Sequence, residues 1–206
     1  MKNYNSKAIK EFNHPTPKKP VPGPSMFKKP EYVKKVMYEF VDQSEKLTPK
    51  EIIQIQRIAG KILYSGRAID NTIMHTLNEI NIEATKATER TREAVKHFID
   101  YCTTHPEAQI IYRASDMQLY IESDAAYLVA PKGRSRTGGY FYLGSRDGKL
   151  FNLPIFILAK VIKSVMSSAA ESEVGSLYMN AREAIPLIYT CEELGHIQLP
   201  IPINNK

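Results

Sequence analysis

Apolar positions change their period once along the chain, and that change divides it. In "LTPKEIIQIQRIAGKILYSGRAID", Ile52, Ile55, Ile58, Ala59, Ile62 and Leu63 recur three and four residues apart, the spacing of one face of an α-helix. The start signals agree: Thr48 stands at the cap, Pro49 at the first helical position, and Glu51 completes a T-x-x-E capping box. A helix over about 49–66 follows. Ile73, Leu77 and Ile80 predict a second helix, and Ala94, Val95, Phe98, Ile99 and Cys102 a third. The third ends before His105-Pro106, because the residue preceding a proline is driven out of the helical region.

From Gln109 the period becomes two. In "QIIYRASDMQLYIESDAAYL", Met117, Leu119 and Ile121 alternate with Gln118, Tyr120 and Glu122, the pattern of a half-buried strand. "GGYFYLGSRDGKL" predicts a strand followed by an Asp147-Gly148 turn, and "PIFILAKVI" another strand. "SSAAESEVGSL" then opens a helix, in which Pro186 is expected to introduce a kink or a stop. A run of helices, three strands and a long helix predict a mixed α/β (α+β) chain in three parts: 1–44, 45–106 and 107–206. No internal repeat is visible.

Composition changes the reading of the first part. Residues 13–30, "NHPTPKKPVPGPSMFKKP", hold six of the 13 prolines, and fixed φ angles with missing donors exclude a continuous helix or a central strand. Residues 1–35 carry nine lysines against Glu11 and Glu31, so 1–44 reads as a basic, proline-rich arm. Such an arm, with Tyr32 and Tyr38 nearby, suits an anionic partner, although a solvated tail has the same composition. The net charge of +6 and 43% hydrophobic residues fit a folded domain with a sizeable core. Two distant cysteines and five scattered histidines form neither a zinc pattern nor a disulfide framework. No apolar run approaches the ~18–20 residues a membrane helix needs and the N-terminal residues hold no hydrophobic signal core, so a soluble intracellular protein without a membrane partner is expected.

The candidate chemistry lies in carboxylates and arginines. Ser168-Ala169-Ala170-Glu171 matches a capping box, so Glu171 is expected to turn back toward the backbone at the helix start. Glu173 is about 200° further round the helix and cannot share that role. Its natural partner is Asp124 in "IESDAAYL", where the apolar alternation gives way to small residues. A carboxylate at a strand end and one in a helix's first turns can converge on divalent cations, which take oxygen ligands. Two such metals ~4 Å apart activate water and stabilise a leaving oxygen in phosphodiester cleavage. Arg134 and Arg136, with Lys132 beside them, alternate in "PKGRSRTGGY" and in an extended segment point the same way, toward a phosphate backbone or simply into solvent. Gly138-Gly139 marks a bulge or a close backbone approach. Arg67 and Asp70, three apart, predict a local ion pair at a helix end.

The stretches "SDAAYL", "RSRTGGYFYLG", "SSAAESEVGSL" and "EELG" resemble, in order and approximate spacing, the ribonuclease H domain of copia-type LTR retrotransposon polyproteins. "QRIAGKILYSGRAIDNTI" and "ATKATERTREAVKHFIDYCTTHPEAQIIY" are similar to the reverse-transcriptase thumb and connection that precede that domain. The resemblance covers about residues 45–205. It implies a helical thumb/connection module over 45–106 and a partial ribonuclease H-like mixed sheet with a long helix over 107–206. The implied reaction is magnesium-dependent (or manganese-dependent) hydrolysis of RNA in an RNA–DNA hybrid. Asp124 falls on the family's first catalytic aspartate and Glu173 on its catalytic glutamate, both metal ligands.

The family's third acidic position is the aspartate of an Asp-Asn pair at a strand end. Here the strand reads "PIPINNK", so Asn204 stands at the metal position and offers one neutral carbonyl oxygen in place of a carboxylate. The chain ends at Lys206, before the family's last acidic position, so the resemblance implies a polyprotein fragment with little nuclease activity in isolation. The remaining sheet would come from the rest of the polyprotein or another chain, and the setting would be a cytoplasmic or nuclear retroelement particle. The alternative is a non-catalytic nucleic-acid-binding or assembly module of retroelement origin.

Overall fold

The computed structural model describes residues 4–26, 42–106, 110–200 and 203–205. It is a mixed α and β chain that divides into two units, which part between Ile110 and Ile111. Each unit has its own hydrophobic core.

The first unit is helical. Its elements are α1 (Tyr4–Lys10), α2 (Pro49–Ala68), α3 (Met74–Glu83) and α4 (Glu89–Thr104). The capping box predicted for α2 is present: the Glu51 carboxylate accepts from the Thr48 backbone N–H at 2.9 Å and from its hydroxyl at 2.7 Å. The apolar face of α2 buries Ile55, Ile58, Ala59 and Ile62 against Ile73, Leu77 and Ile80 and against Val95, Phe98, Ile99 and Cys102 of α4. Ile73, expected inside the second helix, instead closes a 3-10 turn, Asn71–Ile73. Asp70 starts that turn by accepting from the Thr72 N–H at 3.1 Å, and this replaces the ion pair expected between Arg67 and Asp70. Arg67 is exposed while Asp70 is buried, so the pair would have required an unscreened carboxylate to turn outward.

Part of the 1–44 segment is folded onto this unit. Residues 4–10 form α1, which contacts α2 and α4 and buries Ala8 and Ile9. The prolines after it exclude regular structure, as the sequence predicts, yet the segment is fastened at intervals. His14 Nε2 meets Asp100 at 2.6 Å, the Val21 N–H donates to Thr104 at 3.3 Å, and His97 meets the Gly23 carbonyl at 3.0 Å. Tyr32 and Tyr38 lie outside the described residues. Both cysteines are free, buried thiols, and burial, reinforced by nearby Asp70, pushes Cys102 up to about 12.

The second unit is a four-stranded sheet with one long helix. The strands are β1 (Gln118–Ala130), β2 (Arg134–Gly144), β3 (Pro154–Val161) and β4 (Ile203–Asn205), and α5 (Ala169–Glu193) precedes β4. The sheet order is β3-β2-β1-β4, with β1, β2 and β3 successively antiparallel and β4 parallel to β1. β1 begins later than the alternation suggests, because Met117 adopts φ 58°, outside the strand region. α5 runs unbroken through Pro186, so of the kink or stop expected there the stop does not occur. Pro186 sits on the solvent side, and its carbonyl accepts from the Thr190 hydroxyl at 2.8 Å.

Candidate nucleic-acid interface

Strand alternation gives the sheet two chemically different faces. Ser123 of β1 lies opposite Gly139 of β2, and Ile121 opposite Phe141, so these share the face that α5 covers. At one end of that face Leu119, Ile121, Phe141 and Leu158 pack against Ala184 and form the unit's core. At the other end the contact is polar and buried. Ser172 meets Ser135 at 2.9 Å, Ser176 meets Thr137 at 2.6 Å, and Asn180 donates to the Ser123 hydroxyl and to the Gly138 carbonyl, each at 3.0 Å. Small side chains let the helix come down close: a Cβ on Gly139 would lie 1.8 Å from Asn180 Oδ1. The close approach anticipated at Gly138-Gly139 is therefore present at Gly139, whereas the register runs through both residues without a bulge.

The second face carries the candidate residues. Along β2 the even positions are Arg134, Arg136, Gly138, Tyr140 and Tyr142, two cations at one end and two rings at the other. Arg134 and Arg136 do share one face, both half-buried, and the Arg134 Nε donates to the Pro131 carbonyl at 3.3 Å. Lys132 is exposed in the β1–β2 connection at φ 64°, beside Gly133 at φ 63°. On β1, Tyr120, Glu122 and Asp124 share this face, opposite Tyr142, Tyr140 and Gly138. Tyr120, expected on a solvated side, is buried because its ring stacks on Tyr142 at 5.3 Å.

Asp124 is exposed, and strand alternation puts it on the face opposite to the one that α5 covers. Asn204 lies level with Glu122 on neighbouring β4, and its amide donates to Glu122 Oε1 at 2.9 Å. Asp124 and Asn204 thus occupy the same face, two residues out of step. Glu173 stands on α5, over the other face. Its Oε2 is buried without a hydrogen-bond partner, one turn before Ser176, whose hydroxyl donates to the Asp124 main-chain carbonyl at 2.7 Å. The helix turn is therefore docked on the backbone of Asp124, while alternation sends the Asp124 carboxylate out from the opposite side.

The donor set does not fit a pair of dications. Among the described residues no group of three or more His, Cys, Asp or Glu could hold a metal. Asn204 brings no charge, and its amide is turned as a donor to Glu122. Glu171 does the capping work, one residue earlier than expected. It accepts from the backbone N–H and the hydroxyl of Ser167, both at 2.6 Å, while Ser168 accepts from the Glu171 N–H at 3.1 Å. Those two Ser167 donors, hydroxyl first, hold its carboxyl below the ordinary range.

Compared with protein-family models, curated proteins and solved structures, the chain matches none. No helix of the described residues is long and apolar enough to cross a membrane.

Two features of this unit escape a reading by hydrophobic period. The polar contact under α5 is signalled only by Ser172, Ser176, Asn180 and Ala184 at intervals of four. The aromatic end of the second face is signalled by tyrosines at even positions of β2, where a half-buried strand would place solvated side chains.

Proposed function

We propose that the chain is a ribonuclease H-type nucleic-acid-binding module of retroelement origin, which holds RNA–DNA hybrid without cleaving it efficiently. One observation carries the reading: β4 runs parallel to β1 and sets Asn204 on the same face as Asp124, the neighbourhood that the resemblance assigns to the first and third acidic positions. The sheet order, with α5 crossing over to β4, supports it further. The weak step is metal capture, because the third position is neutral and α5, which carries Glu173, covers the face opposite to the Asp124 side chain. Arg134, Arg136 and Lys132 supply the cationic edge for phosphates.

The test is hybrid retention and cleavage by the full chain in magnesium or manganese. Retention is expected to fall steeply with salt, and Arg134→Ala with Arg136→Ala should lower the salt slope by about two, one counterion-release step for each phosphate contact. Product that disappears in Asp124→Asn would make the chain a working nuclease instead. Absence of hybrid retention by the unmodified chain would end the reading.

A further inference from the structure

Beyond the arginine edge, the far end of the same sheet face presents rings to solvent. Phe151 is 58% exposed although its ring is fixed, stacked on Tyr140 at 5.1 Å with a 10° interplanar angle and tilted against Tyr142 at 4.6 Å. Tyr112, 51% exposed, is anchored by its hydroxyl, which donates to the Pro154 carbonyl at 3.0 Å. Buried Asn152 clips the two segments together: its amide donates to the Arg113 and Leu143 carbonyls at 2.8 and 3.0 Å, and its oxygen accepts from the Arg113 N–H at 3.1 Å. A hydrophobic ring held rigid in water has already lost its rotamer freedom, so a flat partner would bind it without that cost.

The charge nearby selects the partner. Arg113, Arg146 and Lys149 are exposed in the chain segments that carry or adjoin these rings. Asp147 is met by Lys149 at 3.4 Å, and Asp116 accepts the Arg146 backbone N–H at 2.8 Å, so the two carboxylates are engaged while the Arg113 and Arg146 side chains are exposed and make no ion pair among the described residues. Flat exposed rings flanked by cations match a base with its phosphates.

We propose that Phe151 and Tyr112 form a stacking site for unpaired bases of single-stranded nucleic acid, with Arg113 and Arg146 meeting the phosphates. A paired hybrid hides its base faces within its own stack, so this site reads strand state and complements the arginine edge. The inference rests on the nucleic-acid half of the proposed function and uses neither carboxylate of the cleavage reading.

The experiment measures binding of the full chain to oligo(dT) and to a blunt RNA–DNA hybrid by fluorescence anisotropy. Stacking contributes about 1–3 kcal/mol per base, so Phe151→Ala is expected to weaken oligo(dT) binding ~5- to 150-fold and leave the hybrid unchanged. Phe151→Trp should retain the affinity, whereas Phe151→Leu, which keeps apolar bulk and folding, should lose it. Equal oligo(dT) affinity in the Leu variant and the unmodified chain overturns the proposal. So does a dimer in sedimentation that Phe151→Leu converts to monomer, which would make the patch a self-association surface. Hybrid bound without oligo(dT) sinks this inference alone; neither bound sinks the proposed function as well.

Discussion

The two units solve the same packing problem with different chemistry. In the helical unit the contact among α2, α3 and α4 is mainly apolar, from Ile55 to Cys102, with the buried Thr91 hydroxyl of α4 donating to Glu83 of α3 at 3.0 Å. In the sheet unit the contact of α5 with β1 and β2 is apolar at one end and made of Ser, Thr and Asn at the other. An apolar contact tolerates small shifts, because dispersion and burial have no direction. A buried hydrogen-bonded contact does not, because each donor needs its acceptor at a fixed distance and angle. The helical unit is thus a core that is stable by area. The sheet unit fixes the height of α5 over β1 to within a side-chain atom, at the residues that flank Asp124.

The largest expected effect breaks the first half of this comparison. Phe98 is fully buried at the centre of the helical core, so Phe98→Ala should cost about 3–5 kcal/mol, read as a fall in the denaturation midpoint of that unit. A loss below ~1 kcal/mol would mean that the core is loose enough to collapse around the cavity. The next effect sharpens the second half. Gly139→Ala drives a methyl into Asn180 and should cost about 1–3 kcal/mol. Asn180→Ala removes the amide that donates to the Ser123 hydroxyl and the Gly138 carbonyl, leaving Ser123 with the Ser176 hydroxyl at 3.2 Å, also at a cost of about 1–3 kcal/mol. The double variant should cost less than the sum, by about 0.5–3 kcal/mol, since the clash and the bonds are removed together. Additive costs would show that α5 does not rest on Gly139.

The same contrast explains what the sequence makes legible. Hydrophobic period locates α2 and α4, because their buried faces are mainly apolar and period follows burial, whereas α5 is located by the Ser-x-x-Glu signal at its start. Period misplaces Tyr120, whose burial comes from stacking on Tyr142 across the ladder, a contact that no single-strand pattern encodes. Asp70 is misread for a related reason: spacing offers Arg67, but the nearer Thr72 N–H takes the carboxylate. At the candidate site, "SDAAYL" and "INN" point to residues that do fall on one face, since adjacent parallel strands align them. The side of β1 that α5 covers, and with it the face over which Glu173 stands, is not legible, because either side satisfies the sequence period.

The smallest effect compares how the units begin their principal helices. Glu51 and Glu171 are both held below the ordinary glutamate range, each chiefly by one hydroxyl and then one backbone N–H, from Thr48 and Ser167. Because folding favours the charged form, each contribution is whole above the unfolded range near ~4.3 and drains away as pH falls below it. Glu51→Gln and Glu171→Gln should therefore each flatten the acid limb of a stability–pH curve. Salt separates the two. Glu51 also pairs with Arg92, a charge that counterions screen, whereas the Glu171 donors are neutral. Raising NaCl to about 1 M, where the screening length shrinks to ~3 Å, should move the Glu51 titration upward by more than that of Glu171 in carboxyl NMR. Equal movement would assign the Glu51 shift to its cap alone and remove Arg92 from the account.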